Sequence, residues 1–180
     1  MVKITHDYMI NFLKFSRYFT GANRFLVSVR WKGEGDIYNA EYLETLRKVT
    51  DDVFFISGVS RPSVTSLFTA NVRYIEITEE GFFGDVVVPP RFSGTPEDLA
   101  QVRSNTAASG QVGRLVANDL KSAMVRADLH AAVDLGLDAL RVHGHIADRA
   151  AAIIAQHGET MVLARASEAS TVTLIPAFTS

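Results

Sequence analysis

The sequence contains no cysteine, so disulfide bonds and thiolate chemistry are excluded. Long apolar runs are also missing. The apolar runs at 86–88 and 150–155, for example, fall far short of the roughly 20 residues that a membrane-spanning helix requires. Charged residues such as Asp7, Lys14 and Arg17 interrupt the first turns of the chain, so no signal peptide is predicted there. We therefore expect a soluble chain that does not cross a bilayer.

A concentration of positive charge is missing as well. The chain has 18 Lys and Arg against 20 Asp and Glu, and its formal net charge is −2. Nucleic-acid binding needs clustered cations that neutralise phosphates, whereas these Lys and Arg are scattered along the sequence. We therefore expect no nucleic-acid partner. The length of 180 residues and the 47% apolar content are typical of a globular protein with one domain or two small subdomains.

Common catalytic signatures are absent from the sequence. It contains neither of the glycine-rich phosphate-binding motifs G-x-x-x-x-G-K-[ST] and G-x-G-x-x-G. It also lacks the H-E-x-x-H and G-x-S-x-G motifs of zinc proteases and serine hydrolases. Glu79 and Glu80 are adjacent, and adjacent strand residues point to opposite faces, so they favour a solvated turn over a catalytic carboxylate pair. We predict no enzyme activity, no catalytic residue and no cofactor.

Histidines near the C-terminus raise a separate metal hypothesis. On a strand, His143 and His145 would share a face, and His157 or Asp148 could supply a third ligand, with His130 also nearby. Solvent-facing loop histidines are the alternative, because no cysteine assists. We predict no metal ligand.

A strand followed by a helix is predicted in the first half of the chain. Residues 25–31 are β-branched and aromatic, and two glycines close them. The residues expected on one face of this strand are Phe25, Val27, Val29 and Trp31. Asn39 is a suitable helix N-cap, and Gly58 is expected to stop the helix. Its predicted apolar stripe comprises Tyr42, Leu43, Leu46, Val49, Thr50 and Val53.

Further strands are predicted after Pro62. Apolar residues from 64 to 77 predict a return strand that Asn71 interrupts, followed by turns at 79–81 and 84–85. The valines at 86–88 precede two prolines, which indicates a short edge strand or a loop.

A second helix and one more strand complete this part of the chain. Thr95 and Pro96 predict the helix start, with a C-cap near Gly110. Its apolar stripe is narrow, so most of this helix should face water. Residues 120–129 predict another strand. We therefore expect an α/β (α+β) fold of ferredoxin-like type, with helices on one face of an antiparallel or mixed sheet.

Three blocks of the sequence, in this order, carry a resemblance to a known family. The blocks are THDYMINFLKFSRYFTGANRFLVSV, DIYNAEYLETLRKVTDDVFFISGVSR and SLFTANVRYIEITEEGF. The likeness continues through residue 129 and so covers roughly Thr5 to Leu129. These blocks resemble the first extracytoplasmic loop of MMPL-type exporters in the resistance-nodulation-division (RND) superfamily. The resemblance implies a porter-like α/β domain over residues 1–129.

The same resemblance implies a function in transport. Such loops form a passage for hydrophobic or lipid-like molecules at the periplasmic face of the bacterial inner membrane. The implied partners are the transmembrane helices of a parent exporter and a lipid-like small molecule, and a homo-oligomer is compatible with this function. Energy coupling would reside in the membrane helices, so the loop would have no chemistry of its own.

An apolar groove between subdomains is the physical feature that this function requires. The sequence offers more aromatic surface than one sheet and its helices must bury, although burial in an ordinary core is the alternative for each residue. The candidate aromatics are Phe12, Phe15, Trp31, Phe54, Phe55, Phe68, Phe82 and Phe83. A helical stripe between Asp7 and Gly21 is predicted either to dock on the domain or to connect it to a membrane helix.

Residues 130–180 differ from the rest, because the resemblance stops there and alanine becomes frequent. Helices are predicted over 131–142 and 146–157, with a hairpin formed by 161–164 and 171–175. The last block is faintly similar to small phage head–tail joining proteins. The alternative function is therefore a structural or assembly protein that acts through protein–protein contacts. That alternative expects this tail to be packed onto the body, whereas the exporter hypothesis expects a loosely attached tail.

Overall fold

The computed structural model describes residues 24–79 and 81–129, the strand at 161–166 and the separate helical positions 148, 152 and 155. The elements in chain order are β1 (Arg24–Arg30), α1 (Ala40–Phe54), a 3₁₀ turn (Arg61–Ser63), β2 (Arg73–Thr78), β3 (Gly81–Val86), α2 (Pro96–Ala108), β4 (Ser122–Asp128) and β5 (Met161–Ala166). The predicted α+β class is confirmed. Through β4, the elements follow the chain order of a ferredoxin-like unit, but the single sheet predicted for it is wrong, because the strands form two sheets and β5 lies beside β1.

The described strands form two antiparallel sheets. One has the order β4-β1-β5, and the other is the β2–β3 hairpin. In the first sheet, Val27 lies opposite Val125 of β4 and Ala164 of β5. Val27 and Val29 share the buried face, as predicted. Trp31 lies one residue beyond the end of β1 and is partly buried against the core.

Helix α1 covers the buried face of this sheet. The Asn39 side chain accepts a hydrogen bond of 2.7 Å from the Tyr42 amide, which confirms the predicted N-cap. The six predicted stripe residues of α1 are all buried. The predicted stop at Gly58 is wrong, because the helix ends at Phe54 with Phe55 as its C-cap. The Phe55 amide still bonds to the Asp51 carbonyl, but the Ile56 amide bonds to the Val53 carbonyl only three residues back, at 3.2 Å, so the α-helical pattern ends before the glycine.

Tyr42 connects the helix to two strands. Its hydroxyl donates to the Val29 carbonyl at 2.7 Å and accepts from the Ala123 amide at 2.7 Å. Val29 and Ala123 are partners in the β1–β4 register, so the phenol is inserted between paired strands. Burial raises the pKa of Tyr42 well above its usual range. The phenol therefore stays neutral and keeps both hydrogen bonds.

The segment 64–72 is not the predicted strand. Thr65 makes an isolated bridge to Arg126 of β4, and side chains hold the rest of the segment in turns. Thr69 Oγ1 accepts from the Ser66 amide at 2.9 Å, and Asn71 Nδ2 donates to the Val64 carbonyl at 3.0 Å. Short polar side chains compete in this way with sheet ladders. The second half of the prediction holds, since β2 begins at Arg73.

The β2–β3 hairpin reverses direction between Thr78 and Gly81, which are register partners. This agrees with the predicted turn at 79–81. The turn predicted at 84–85 is wrong, because both residues lie within β3 and pair with Ile75 and Tyr74. A glycine and an acid are unusual inside a strand, which is why the pattern indicated a turn.

Helix α2 begins with the predicted threonine cap. Asp98 and Thr95 form a reciprocal capping box, and Asp98 Oδ2 also accepts from the Ser93 hydroxyl at 2.7 Å and from the Ser93 amide at 2.9 Å. The bond from the Ser93 side chain is the main reason that the pKa of Asp98 lies below its usual value. Three residues of α2 are buried, namely Val102, Asn105 and Thr106. The prediction of a narrow buried stripe is confirmed.

The C-terminal strand β5 pairs with β1 from Met161 to Ala166. The first arm of the predicted C-terminal hairpin is therefore a strand. The stripe between Asp7 and Gly21, the helices predicted over 131–142 and 146–157, and the second hairpin arm lie outside the described residues, apart from the three helical positions already named. No helix in the described part of the chain is long and apolar enough to span a membrane.

Candidate functional site

The β2–β3 hairpin presents large apolar side chains to solvent. The exposed fractions are 66% for Ile75, 77% for Ile77, 83% for Phe82 and 52% for Phe83. Single exposed apolar residues are common on protein surfaces, but contiguous apolar patches mark interaction sites. This concentration within the nine residues from Ile75 to Phe83 makes the hairpin the leading candidate site.

The register brings three of these residues onto one face of the hairpin. Ile77 lies opposite Phe82, and Ile75 lies opposite Gly84, which is on the same face. A Cβ atom at Gly84 would lie 3.7 Å from Ile75 Cγ1, so the isoleucine side chain extends over the glycine. We call Ile75, Ile77 and Phe82 the hairpin strip. Its exposed apolar area is on the order of a few hundred Å².

The opposite face of the hairpin is less exposed at its base. Tyr74 is the half-buried residue of β2, and its ring centroid lies 6.4 Å from that of Phe83. Strand β2 also contacts helix α2. Helix α2 therefore anchors the base of the hairpin, and the strip remains open to solvent.

An open groove of about 570 Å³ lies at the base of the hairpin. Its lining residues come from α1, from the 64–72 segment, from the last residue of β3 and from the chain that follows β3. They are Ala40, Glu44, Arg47, Phe68, Ala70, Val86, Val88, Pro89, Pro90, Phe92, Ser93 and Gly94. Val86 is on the same face of the hairpin as the strip, because it pairs with Arg73 two positions before Ile75. The strip therefore continues towards this basal groove.

Charged residues border the basal groove on the α1 side. Arg47 Nη2 lies 3.1 Å from Glu44 Oε1, and Lys48 Nζ lies 3.7 Å from the same oxygen. The hydrogen bond from Arg47 is the main reason that the pKa of Glu44 lies below its usual value. The border of the groove is therefore ionised at neutral pH, while most of its lining is apolar.

A close approach between two segments shapes the other end of the basal groove. Gly94 has a positive φ of 79°, and a Cβ atom there would lie 3.1 Å from the Ala40 Cβ atom. Glycine permits both the backbone conformation and the short distance. The capping box of α2 fixes this segment, because Asp98 binds the neighbouring Ser93.

Two further aromatics lie at the end of α1. Phe54 and Phe55 are exposed and stack edge to face, with ring centroids 5.5 Å apart. The Arg61 guanidinium lies 5.6 Å from the Phe54 centroid and 6.0 Å from that of Phe55, within cation–π range. Phe54 and Arg61 line a groove of about 400 Å³ that shares Ala70 with the basal groove.

The eight aromatics singled out in the sequence fall into three groups. Four are exposed: Phe54, Phe55, Phe82 and Phe83. Trp31 and Phe68 are partly buried against the core, and Phe68 also lines the basal groove. Phe12 and Phe15 lie outside the described residues. Ile75 and Ile77 were not among the predicted candidates, because their alternation with Tyr74 and Glu76 is typical of a half-buried strand.

Only some of the histidines and acids considered as metal ligands or catalytic groups lie in the described part of the chain. In residues 24–79 and 81–129, no cluster of three His, Asp or Glu side chains could hold a metal ion. His130, His143, His145 and His157 lie outside the described residues. Glu79 is exposed at the hairpin turn. The described arrangement is suited to contact with an apolar molecule.

Comparisons with protein-family models and with curated proteins give no match, so a functional proposal depends on the geometry described above. The exporter resemblance and the assembly alternative stay predictions.

Proposed function

We propose that this chain is an extracytoplasmic, porter-type domain of an RND-superfamily exporter that contacts hydrophobic or lipid-like molecules. The observation that carries the proposal is the hairpin strip of Ile75, Ile77 and Phe82, which is exposed and continues towards the basal groove. In this proposal the domain lies at the periplasmic face of the inner membrane. Its partners are the transmembrane helices of the parent exporter, a lipid-like molecule and, where the exporter is oligomeric, further copies of the domain.

The size of the exposed surface supports an apolar ligand. Removing apolar area from water contributes about 25 cal/mol per Å², so covering a few hundred Å² gives on the order of 5–10 kcal/mol before the costs of association. The basal groove adds an apolar lining with an ionised pair at its border, Glu44 and Arg47. Ligand pockets typically combine such a lining with a few polar groups.

Binding of a fluorescent long-chain fatty acid to the full chain tests the proposal. We expect saturable binding that becomes at least tenfold weaker when Ile77 and Phe82 are both changed to serine, because the double variant removes most of the strip. Val112→Ser is the matched control, since Val112 is an exposed apolar residue outside the hairpin. Equal affinity of the double variant and the wild type would refute a role for the strip.

A structural or assembly protein is the second candidate function. One observation favours it: β5 of the C-terminal segment pairs with the central strand β1 over six residues. A tail that completes the sheet agrees with the packed tail that this hypothesis expects.

Hydrogen exchange and sedimentation velocity on the full chain separate the two candidates. The assembly function predicts amide protection in 161–166 as strong as that in β1, together with a defined oligomer without lipid. Rapid exchange in 161–166 and a monomer at all concentrations would exclude the assembly function.

A further inference from the structure

A second groove, of about 530 Å³, lies on the face of the β4-β1-β5 sheet that points away from the core. Leu26 of β1 and Met124 of β4 line its floor, and these positions alternate with the buried valines of the same strands. Three arginines line the groove: Arg24, Arg114 and Arg126. We call it the arginine groove.

Strand β1, the turn before β4 and β4 itself supply these arginines. Arg24 and Arg126 lie on neighbouring strands and are diagonal neighbours, because Arg24 pairs with Asp128 and Leu26 pairs with Arg126. Arg114 is in the turn before β4. The Met124 amide donates to the Leu115 carbonyl at 2.8 Å, which ties this turn to the strand. The positive charges are therefore gathered by the tertiary structure.

Polar groups from other segments complete the lining. Thr65 exchanges two backbone hydrogen bonds with Arg126, of 2.7 Å and 2.9 Å. Thr65, Asn71 and Gln111 line the groove beside the arginines. Asn71 Nδ2 donates to the Val64 carbonyl and so fixes this side of the groove.

The charge of the arginine groove is unbalanced. Among the described residues that line it, none is an aspartate or a glutamate. Arg24 pairs with Asp128 at 3.1 Å, but Arg114 and Arg126 form no ion pair with any residue in the described part of the chain. Some arginines elsewhere in the described part pair with acids, as Arg30 does with Asp119 and Arg103 with Asp36, whereas others, such as Arg91, do not. Gathering cations without acids is unfavourable unless an anion joins them.

We propose that the arginine groove binds a phosphate group, carried by a small phosphomonoester or by a phospholipid head group. Guanidinium groups match phosphate oxygens with paired, charge-assisted hydrogen bonds, and three arginines from separate segments can approach a tetrahedral anion from different directions. Leu26 and Met124 provide apolar contacts for the organic part of the ligand. This site is separate from the hairpin strip and does not depend on the proposed export function.

Titration of the full ¹⁵N-labelled chain with inorganic phosphate at constant ionic strength tests the site. We expect saturable shifts of the backbone amides of Thr65, Arg114 and Arg126, with weaker effects from acetate. Vesicles containing phosphatidic acid, compared with phosphatidylcholine vesicles, test the head group. Saturation by free phosphate supports a phosphomonoester ligand, and binding restricted to phosphatidic-acid vesicles supports a lipid head group. Absence of both would overturn the proposal.

Matched arginine variants make this test specific. Arg114→Gln and Arg126→Gln should each weaken phosphate binding about tenfold, because each removes charge-assisted hydrogen bonds. Arg91→Gln is the control, since Arg91 is exposed, lies outside the groove and has no ion pair among the described residues. Arg114 is exposed in a turn, so its variant should fold even where Arg126→Gln does not. Wild-type affinity in Arg114→Gln would contradict the proposal.

The Ile77→Ser/Phe82→Ser variant separates the two proposed sites. It should bind inorganic phosphate as the wild type does, because the strip is not part of the arginine groove. Loss of fatty-acid binding with intact phosphate binding would show that the two sites are separate. The phosphate site would then remain supported even if the export proposal were wrong. Loss of phosphate binding in this hairpin variant would contradict a separate phosphate site.

Discussion

Strands β1 and β2 have similar sequence patterns, but they differ in the burial of their apolar side chains. RFLVSVR in β1 and RYIEIT in β2 both begin with arginine and alternate β-branched residues with other types. Val27 and Val29 of β1 are fully buried, whereas Ile75 and Ile77 of β2 are mostly exposed. Alternation therefore predicts which residues share a face of a strand, but it does not predict whether that face is covered.

The neighbours of each strand account for the difference. Strand β1 has a strand on each side, and the buried stripe of α1 covers one face of its sheet. Strand β2 has one described partner, β3, and contacts α2 at its base. A two-stranded hairpin has little intrinsic stability and cannot bury its own face, so the strip stays available to a partner.

Truncating equivalent apolar side chains in the two regions should give the largest difference. Leu46→Ala removes a fully buried side chain of α1 and should lower the free energy of unfolding by about 3 kcal/mol. Ile77→Ala removes an exposed side chain, and we expect a change of less than about 0.5 kcal/mol. Urea denaturation measures both values. A large loss in Ile77→Ala would mean that the strip is buried in solution.

Tyr42→Phe should have the next largest effect on the core. The substitution keeps the ring but leaves the Val29 carbonyl and the Ala123 amide without their hydroxyl partner. We expect the free energy of unfolding to fall by about 2 kcal/mol, because both groups are buried. Tyr74→Phe in the hairpin is the matched control and should change it by less than about 0.5 kcal/mol. Equal effects would show that the Tyr42 hydroxyl is not needed between the strands.

Removal of the α2 cap should have a moderate effect. Thr95→Ala deletes the acceptor for the Asp98 amide and should lower the free energy of unfolding by about 1 kcal/mol. Thr45→Ala in α1 is the control, because the Thr45 hydroxyl donates only to the carbonyl of Glu41 within its own helix. Thermal denaturation, monitored by circular dichroism, compares the stability of the two variants. A larger loss in Thr45→Ala would contradict the role assigned to the cap.

The smallest expected effect concerns pH. Hydrogen bonds from Ser93 and Thr95 hold the pKa of Asp98 below its ordinary value of 3.8. Because the folded pKa is the lower one, the ionised carboxylate stabilises the fold fully above about pH 5, and this contribution is lost as the pH falls through the ordinary pKa and then through the folded pKa. Asp98→Asn should remove this part of the pH dependence. An NMR titration of the Asp98 carboxyl that gives a pKa above 3.8 would contradict the assignment.

Local features of the fold followed from the sequence, and the candidate site followed only in part. Asn39 predicted the start of α1, and Thr95 with Pro96 predicted the start of α2, because a helix cap depends on residues within the first turn. Phe82 was singled out as an aromatic in excess of the core, but Ile77 was not. Its exposure depends on which element covers β2, and no local pattern encodes that. The 64–72 segment was mispredicted because its apolar residues outweighed the serine, threonine and asparagine that form its turns.

By itself, the sequence determined the α+β class, the buried stripe of α1 and the absence of thiol chemistry. These properties depend on composition and on residues within one or two helical turns. Only the tertiary structure decided that the hairpin strip is exposed, that β5 lies beside β1 and that three arginines scattered in the sequence share one groove. The physical reason is that each of these depends on pairing between segments tens of residues apart, where strand register and coverage decide which side chains meet.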